Sequence, residues 1–243
     1  MTDTPSTVED WEGRKRILVF LAHPDDPEFF CGGSIARWIA LGHEIHYALF
    51  TTGQRGNHNP DKNEEEIGEI RKTEQRNAAR VLGIKSVAFL GYLDGDLIPT
   101  LDMRREVVRI IRTVRPDVIV TCDPQNLFSG NNRINHPDHR AAGQAVVDAA
   151  FPASGSPAFY SEMLKEEGLF PHTPSEIWMS LTNQPNVVLD VTEYIEKKLL
   201  ALHEHRSQVG NLDEFDLRMR SRWRVNDAFP PHYEERFLRV KLG

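Results

Sequence analysis

Short aliphatic runs alternate with stretches of helical period along most of the chain. This alternation is the pattern of an α/β protein, a parallel sheet covered by helices, and it constrains the fold more than any other feature. Arg16-Ile-Leu-Val-Phe-Leu-Ala22 is apolar on both faces, as a central parallel strand must be. A helix is expected over about Gly33 to Leu41 with Gly42 as its stop, then a second strand over His43 to Thr52. A polar loop leads to a long helix from about Glu64 to Leu82, closed by Gly83. Val87 to Tyr92 and Asp117 to Cys122 read as strands, with a helix over Asp102 to Val114 between them. Asp123 to Asn135 has no period and reads as a long loop of the functional kind. A helix over Asp138 to Ala150 follows, then strands at Glu176 to Thr182 and Asn186 to Val191, and a helix over Thr192 to His205. The remainder reads as short helices and a tail.

With 243 residues the chain can bury one sizeable core, and it shows no internal repeat or linker that demands a second domain. Residues 1–13 are expected to form a disordered or loosely attached tail, and residues 14–243 the domain. The longest unbroken apolar run, Ile17 to Ala22, is far too short to span a bilayer, so no membrane partner is expected. MTDTPSTVED at the start lacks the apolar core of a secretory signal, so the expected location is cytoplasmic. Cys31 and Cys122 are too few for a disulfide scaffold and are expected as buried free thiols. A net charge of −7 disfavours nucleic acid as a partner. Arg218, Arg220, Arg222 and Arg224 around Trp223 are a local exception and read as a solvated or ion-paired face.

Ligands of open parallel sheets bind beyond the carboxyl ends of the strands. Directly after the first strand stands Ala22-His23-Pro24-Asp25-Asp26-Pro27-Glu28, and Asn135-His136-Pro137-Asp138-His139 opens the helix after the fourth. A catalytic zinc takes three ligands from His and Asp/Glu and keeps an open position, and His23, Asp26 and His139 fit that count. Asp25 could then hold the attacking water and take its proton. His136 would face the developing oxyanion, with Asp138 fixing its ring. Those parts amount to metal-assisted hydrolysis of a carbonyl compound. Taken singly, each cluster also reads as a helix start, with Asp25, Asp26 or Asp138 as a cap and Pro27 at the first helical position.

The AHPDD and HPDH motifs, in that order, resemble those of the LmbE/PIG-L-type metal-dependent de-N-acetylases. The similarity runs through Arg71-Lys-Thr-Glu74, Leu90-Gly91-Tyr92 with Asp94-Gly95, Asp190-Val191-Thr192, His205 with Ser207-Gln208, and Tyr233-Glu-Glu-Arg-Phe237. The fold it implies is a single-domain, Rossmann-like three-layer sandwich with a mostly parallel sheet. The activity it implies is zinc-dependent removal of acetyl from an N-acetylated amino sugar or conjugate, with Fe2+ also suited to His/Asp ligation. It gives His23, Asp26 and His139 as metal ligands, Asp25 as general base and His136 as oxyanion partner. It adds Arg71 and Asp94 as contacts to sugar hydroxyls, although Arg71 could instead pair with Glu69 or Glu74, and Asp94-Gly95 could be a plain turn. A homo-oligomer is implied as well. Gln54 stands where relatives of this kind often carry Glu, which removes a carboxylate near the expected mouth of the site. His205 reads as a packed structural histidine, and His232 as part of a solvated tail. The loops at Gly53 to Asn63, Asp123 to Asn135 and Phe151 to Pro174 are expected to set specificity. Competing readings are hydrolysis of another amide or an ester, a non-catalytic sugar- or nucleotide-binding module, and a receiver-like phosphate acceptor. The binding module lacks a GxGxxG or Walker loop, and the phosphate acceptor leaves HPDH unexplained.

Overall fold

Alternate residues of the first aliphatic run feed two separate cores. Ile17, Val19 and Leu21 pack into one, and Leu18, Phe20 and Ala22 into the other. That strand, β1 (Arg16–Leu21), therefore lies in a central layer with helices on both faces. The computed structural model describes residues 5–56, 61, 63–129, 133–226 and 229–242. Residues 1–4 of the expected tail, and 57–60, 62 and 130–132 of the expected specificity loops, lie outside them.

The sheet is completed by β2 (Glu44–Thr51), β3 (Ser86–Tyr92), β4 (Val118–Cys122), β5 (Glu176–Ser180), β6 (Val187–Asp190) and β7 (Glu234–Lys241), in the order β3-β2-β1-β4-β5-β7-β6. The strands from β3 to β5 run parallel, and β7 is antiparallel to both β5 and β6. This is the mostly parallel, single-domain three-layer α/β sandwich expected. The chain winds outward in both directions from β1 and β4, so the crevice at their carboxyl ends is the topological switch point.

The helices are α1 (Asp26–Ala40), α2 (Glu64–Leu82), α3 (Leu101–Val114), α4 (Pro137–Asp148), α5 (Ser161–Lys165), α6 (Ile195–Leu202), α7 (Arg206–Val209) and α8 (Leu212–Trp223). Among them α1, α2, α6 and α8 cover one face with Trp38, Leu82, Leu199 and Phe215, while α3 and α4 cover the other with Val107, Ile111, Ala142 and Val146. Gly143 lets α4 touch β4 directly, since a Cβ there would sit 2.2 Å from the Cys122 carbonyl oxygen. Cys31 and Cys122 are both free and fully buried, as expected. No helix among the described residues is long and apolar enough to cross a membrane.

Four expectations are corrected. Helix α1 starts at Asp26 rather than Gly33, because Pro27 at its first turn is pre-set for helix and the two glycines serve packing. A Cβ on Gly33 would lie 2.7 Å from the Val191 side chain. The helix kinks at Cys31, where φ is −146°, and the freed backbone groups find buried side chains. Glu235 accepts from Gly33 N (2.9 Å) and Ser34 N (2.7 Å), and Lys198 donates to the Phe29 carbonyl (2.9 Å) and to Glu235 (2.7 Å). Second, the C-terminal segment is the strand β7 rather than a tail. Arg236 and Lys241 are exposed, while Glu235 and Phe237 are buried. Third, the expected Thr192–His205 helix is a 3-10 turn at Thr192–Tyr194 followed by α6, which ends at Leu202. Fourth, residues 5–13 are held against the domain. Ser6 bridges to Val187, buried Glu9 accepts from Arg37 and Trp38, and the Trp11 ring packs on Trp38 and Trp178.

Within the arginine run, Arg220 is ion-paired, forking onto Glu196 at 2.7 Å through both nitrogens, and Arg218 lies over the Phe215 ring. Replacing Lys198 by Met would leave Glu235 buried without its cation. The expected loss is roughly 3 kcal/mol of stability, read as a lowered urea midpoint with unchanged slope.

Candidate active site

The chain leaves β1 through Ala22 and His23 and turns sharply at Pro24-Asp25. Asp25 sits at φ +83°, in the left-handed region that a non-glycine residue rarely occupies. The Asp26 carboxylate closes this turn by accepting from the His23 backbone N–H at 2.8 Å. It also lies at the first turn of α1, where the helix dipole favours a negative charge.

Three rings and three carboxylates converge there. His23 Nδ1 is 3.3 Å from Asp26, while its Nε2 is 3.2 Å from both Asp94 and Asp138. His139, from α4, has Nε2 3.2 Å from the other Asp26 oxygen and Nδ1 3.1 Å from Asn135 Oδ1. The acceptors at His23 Nε2 and His139 Nδ1 put the ring protons on those atoms in the neutral tautomers. The remaining lone pairs, His23 Nδ1 and His139 Nε2, then both point at Asp26. One ligand atom from each of these three residues lies within 4.8 Å of the others, the spread that a single ion requires. The nitrogen and carboxylate donors, with outer partners already fixing both rings, suit a divalent metal. His23, His136 and Asp138 form a second, overlapping triplet. There, however, the Asp138 carboxylate already accepts from the Gly95 and Leu97 amides at 2.7 and 3.3 Å and meets His23 Nε2 at 3.2 Å.

The electrostatics describe a centre that attracts a cation. Burial opposes charge on His23, yet Asp26, Asp138 and Asp94 outweigh it and hold the ring well above its ordinary pKa. Burial would raise Asp26, but His139 and His23 hold it well below the usual carboxylate range. Asp94 and Asp138 are also lowered, against burial, by their bonds to His23. Asp25 goes the other way: burial pushes its carboxyl up to about 6, against the pull of Arg71. His136 is lowered by burial and by the neighbouring His23 and His139 rings, so it is neutral near pH 7.

Arg71, on α2, is buried and donates to the Pro24 carbonyl (2.7 Å), the Gly53 carbonyl (2.8 Å) and Asp25 Oδ2 (3.1 Å). It pairs with neither Glu69 nor Glu74. Glu74 instead accepts from the Ser207 N–H and hydroxyl, at 2.7 Å each. Gly53 is required at this contact, because it has φ +64° and a Cβ there would fall 2.2 Å from Arg71 Nη1. A cavity of about 320 Å³ opens above, walled by His23, Asp25, Arg71, Asp94, His136 and Arg55.

All eight residues singled out in the sequence thus lie in one neighbourhood, and three expectations are corrected. The Asp138 carboxylate holds His23 rather than the His136 ring, which receives only the Asp138 backbone N–H on Nδ1 at 3.2 Å. Gln54 lies off the cavity wall, where it accepts from Thr52 and faces Gly68 of α2. His232 bonds Thr192 and Glu234 at the start of β7 and is not a solvated tail. Sequence reasoning missed Arg55, Asn135 and Gln75. Asn135 and Gln75 had a readable signal, each standing four residues from a residue already chosen, His139 and Arg71.

Fold and site together define a member of a known enzyme family. The sequence profile described as GlcNAc-PI de-N-acetylase (PIG-L) matches residues 18–150, and the chain belongs to that family. Among its curated relatives, the diacetylchitobiose deacetylase of Thermococcus kodakarensis is 32% identical over 200 residues, 82% of this chain and 72% of the relative. A probable N-acetyl-alpha-D-glucosaminyl L-malate deacetylase 2 of Bacillus cereus is 34% identical over 201 residues, 80% of this chain and 84% of the relative. In structure, the N,N'-diacetylchitobiose deacetylase of Pyrococcus horikoshii superposes with a TM-score of 0.83 at 29% identity, covering 93% of this chain and 84% of that one.

Behind the site, fully buried His205 places Nε2 3.3 Å from buried Glu28. Burial opposes its protonation, but Glu28 prevails and raises the ring's pKa. A pKa raised on folding adds stability that is complete below about pH 6.5 and is lost as pH climbs through the folded value. The stability advantage of wild type over His205→Gln should therefore shrink as denaturation is repeated at rising pH from 6.5 to about 9.

Proposed function

We propose that this chain is a metal-dependent hydrolase that removes acetyl from an N-acetylated amino sugar or its conjugate, giving acetate and a free amine. The observation that carries this reading is the convergence of His23 Nδ1 and His139 Nε2 on Asp26, with the Asp25 carboxylate beside them. His23, Asp26 and His139 are the residues that would hold the ion, and the donor set suits Zn2+ or Fe2+. Bound there, a divalent ion supplies a Lewis acid to polarise the amide carbonyl and lowers the pKa of a water.

The chain's own groups do the rest. Asp25, with its pKa near 6, is ionised at pH 7 yet basic enough to take a proton from the attacking water. As the water oxygen adds to the carbonyl carbon, negative charge collects on the carbonyl oxygen. His136 is suited to meet it: its Nδ1 accepts from the Asp138 amide, so the neutral ring carries its proton on Nε2 and donates from there. The carbon–nitrogen bond then breaks, and Asp25 returns its proton to the departing amine. Asp138 keeps His23 oriented. Asp94 and the Arg55 side chain line the cavity where a pyranose would sit. Arg71, with both terminal nitrogens committed to protein oxygens, serves Asp25 more directly than a sugar.

The test is amine release from N-acetylglucosamine, diacetylchitobiose, and the inositol and malate conjugates of N-acetylglucosamine, using zinc-loaded protein. Asp25→Asn should lose about 10²- to 10⁴-fold in kcat while binding zinc as wild type does. No release from any of them by stoichiometrically loaded wild type would overturn the reading. In a calorimetric titration, Asp138→Asn is expected to bind zinc about 10- to 100-fold more weakly, through loss of the partner that orients His23.

A further inference from the structure

The strained residue at the site is held by a device whose members, Arg71 aside, take no direct part in the proposed chemistry. The carbonyl of Pro24 and the N–H of Asp25 are the two polar ends of one peptide unit. Arg71 Nη2 donates to the first at 2.7 Å, and Gln75 Oε1 accepts from the second at 2.8 Å. Arg71 and Gln75 stand one turn apart on α2, and both are buried. Gln75 is oriented in turn, because its Nε2 donates to both oxygens of Glu28 at 3.0 and 3.1 Å. Glu28 is fully buried and is also met by His205.

We infer that Gln75 is a positioning residue. With Arg71 it clamps the Pro24–Asp25 peptide plane at both ends and keeps Asp25 at its positive φ, with the carboxylate facing the cavity. The inference rests on the proposed role of Asp25. The amide accepts on the Asp25 side while donating on the Glu28 side, and it does so uncharged and without taking up a proton. A non-glycine residue in the left-handed region persists only when its surroundings over-determine it. Four side chains do so here: Arg71, Gln75, Glu28 and His205. Rotation of the clamped peptide would break both bonds and withdraw Asp25 from Arg71.

The experiment pairs a probe of the backbone with kinetics. In Gln75→Met, hydrogen exchange at the Asp25 amide should accelerate at least about tenfold while β1 amides keep their protection. For amine release, kcat should fall about 10- to 100-fold with KM within about twofold, the mark of a misplaced group rather than a lost binding contact. Gln75→Glu alone sets two carboxylates against each other. Adding Glu28→Gln restores a donor facing an acceptor, so the double variant should recover most of the lost kcat and the Asp25 protection. Glu74→Gln, on the same helix but tied to Ser207, should lower Tm and leave kcat unchanged. Unaltered Asp25 exchange in Gln75→Met overturns the clamp, as does a double variant no better than Gln75→Glu. If wild type releases no amine, the proposed function falls and the exchange data alone decide the clamp.

Discussion

Asp26 ties together the pieces of chain on which the rest depends. One of its oxygens accepts the His23 backbone N–H and faces the His23 ring, and the other faces His139. The same carboxylate therefore closes the turn after β1, opens α1 and meets α4 across the crevice. Those elements border the point where the winding of the sheet reverses, so a single buried charge sits where the topology leaves a gap. Water is largely excluded from it, and the cost of burying the charge is offset by two imidazoles, a backbone amide and the end of a helix.

Around that centre the protein buries more charge than its core chemistry needs, and several of the buried groups have a backbone task. Glu235 and Lys198 replace the hydrogen bonds that α1 loses at its kink. Arg71 fastens the loop after β2 to the turn after β1. Arg112 gathers the carbonyls of Ala153, Ser154, Ser156 and Phe159 into one guanidinium. Such groups stabilise less than apolar packing of the same volume would, but each tolerates one arrangement of its partners and so favours a single backbone path. The kink in α1 is an example. It lets the first turn of the helix serve the site while the remainder lies flat against β7 and α6.

The central strands β1 and β4 were legible in the sequence because they are buried on both faces, which writes an unbroken apolar run. The two motif clusters were legible because several chemically active residues fall within a few positions of each other at a strand's end. β7 was hidden by the opposite circumstance: Glu234-Glu-Arg-Phe-Leu-Arg-Val-Lys241 has one face in solvent, and its charges mask the buried Phe237. The start of α1 was hidden by Gly32 and Gly33, which read as breakers and serve instead as places of close approach. Glu28 stood in plain view beside the motif, but its partners Gln75 and His205 are distant in sequence, and only the fold brings them together. The exchange of partners by Asp138, from His136 to His23, was unreadable for the same reason, since adjacency along a chain says little about where a carboxylate points.

Gly143 stands one turn beyond His139 on the same side of α4, and its missing side chain lets the helix rest on the Cys122 carbonyl. The distance from β4 to the candidate ligand is thus set by backbone lying on backbone, with no side chain between them to compress or to reshape. Tolerance to change is divided accordingly. The loops that rim the cavity can drift in length and composition and take new ligands, while the seat of His139 has no slack to drift into. A lineage exploring new substrates from this scaffold would vary the walls of its cavity and inherit the floor unaltered.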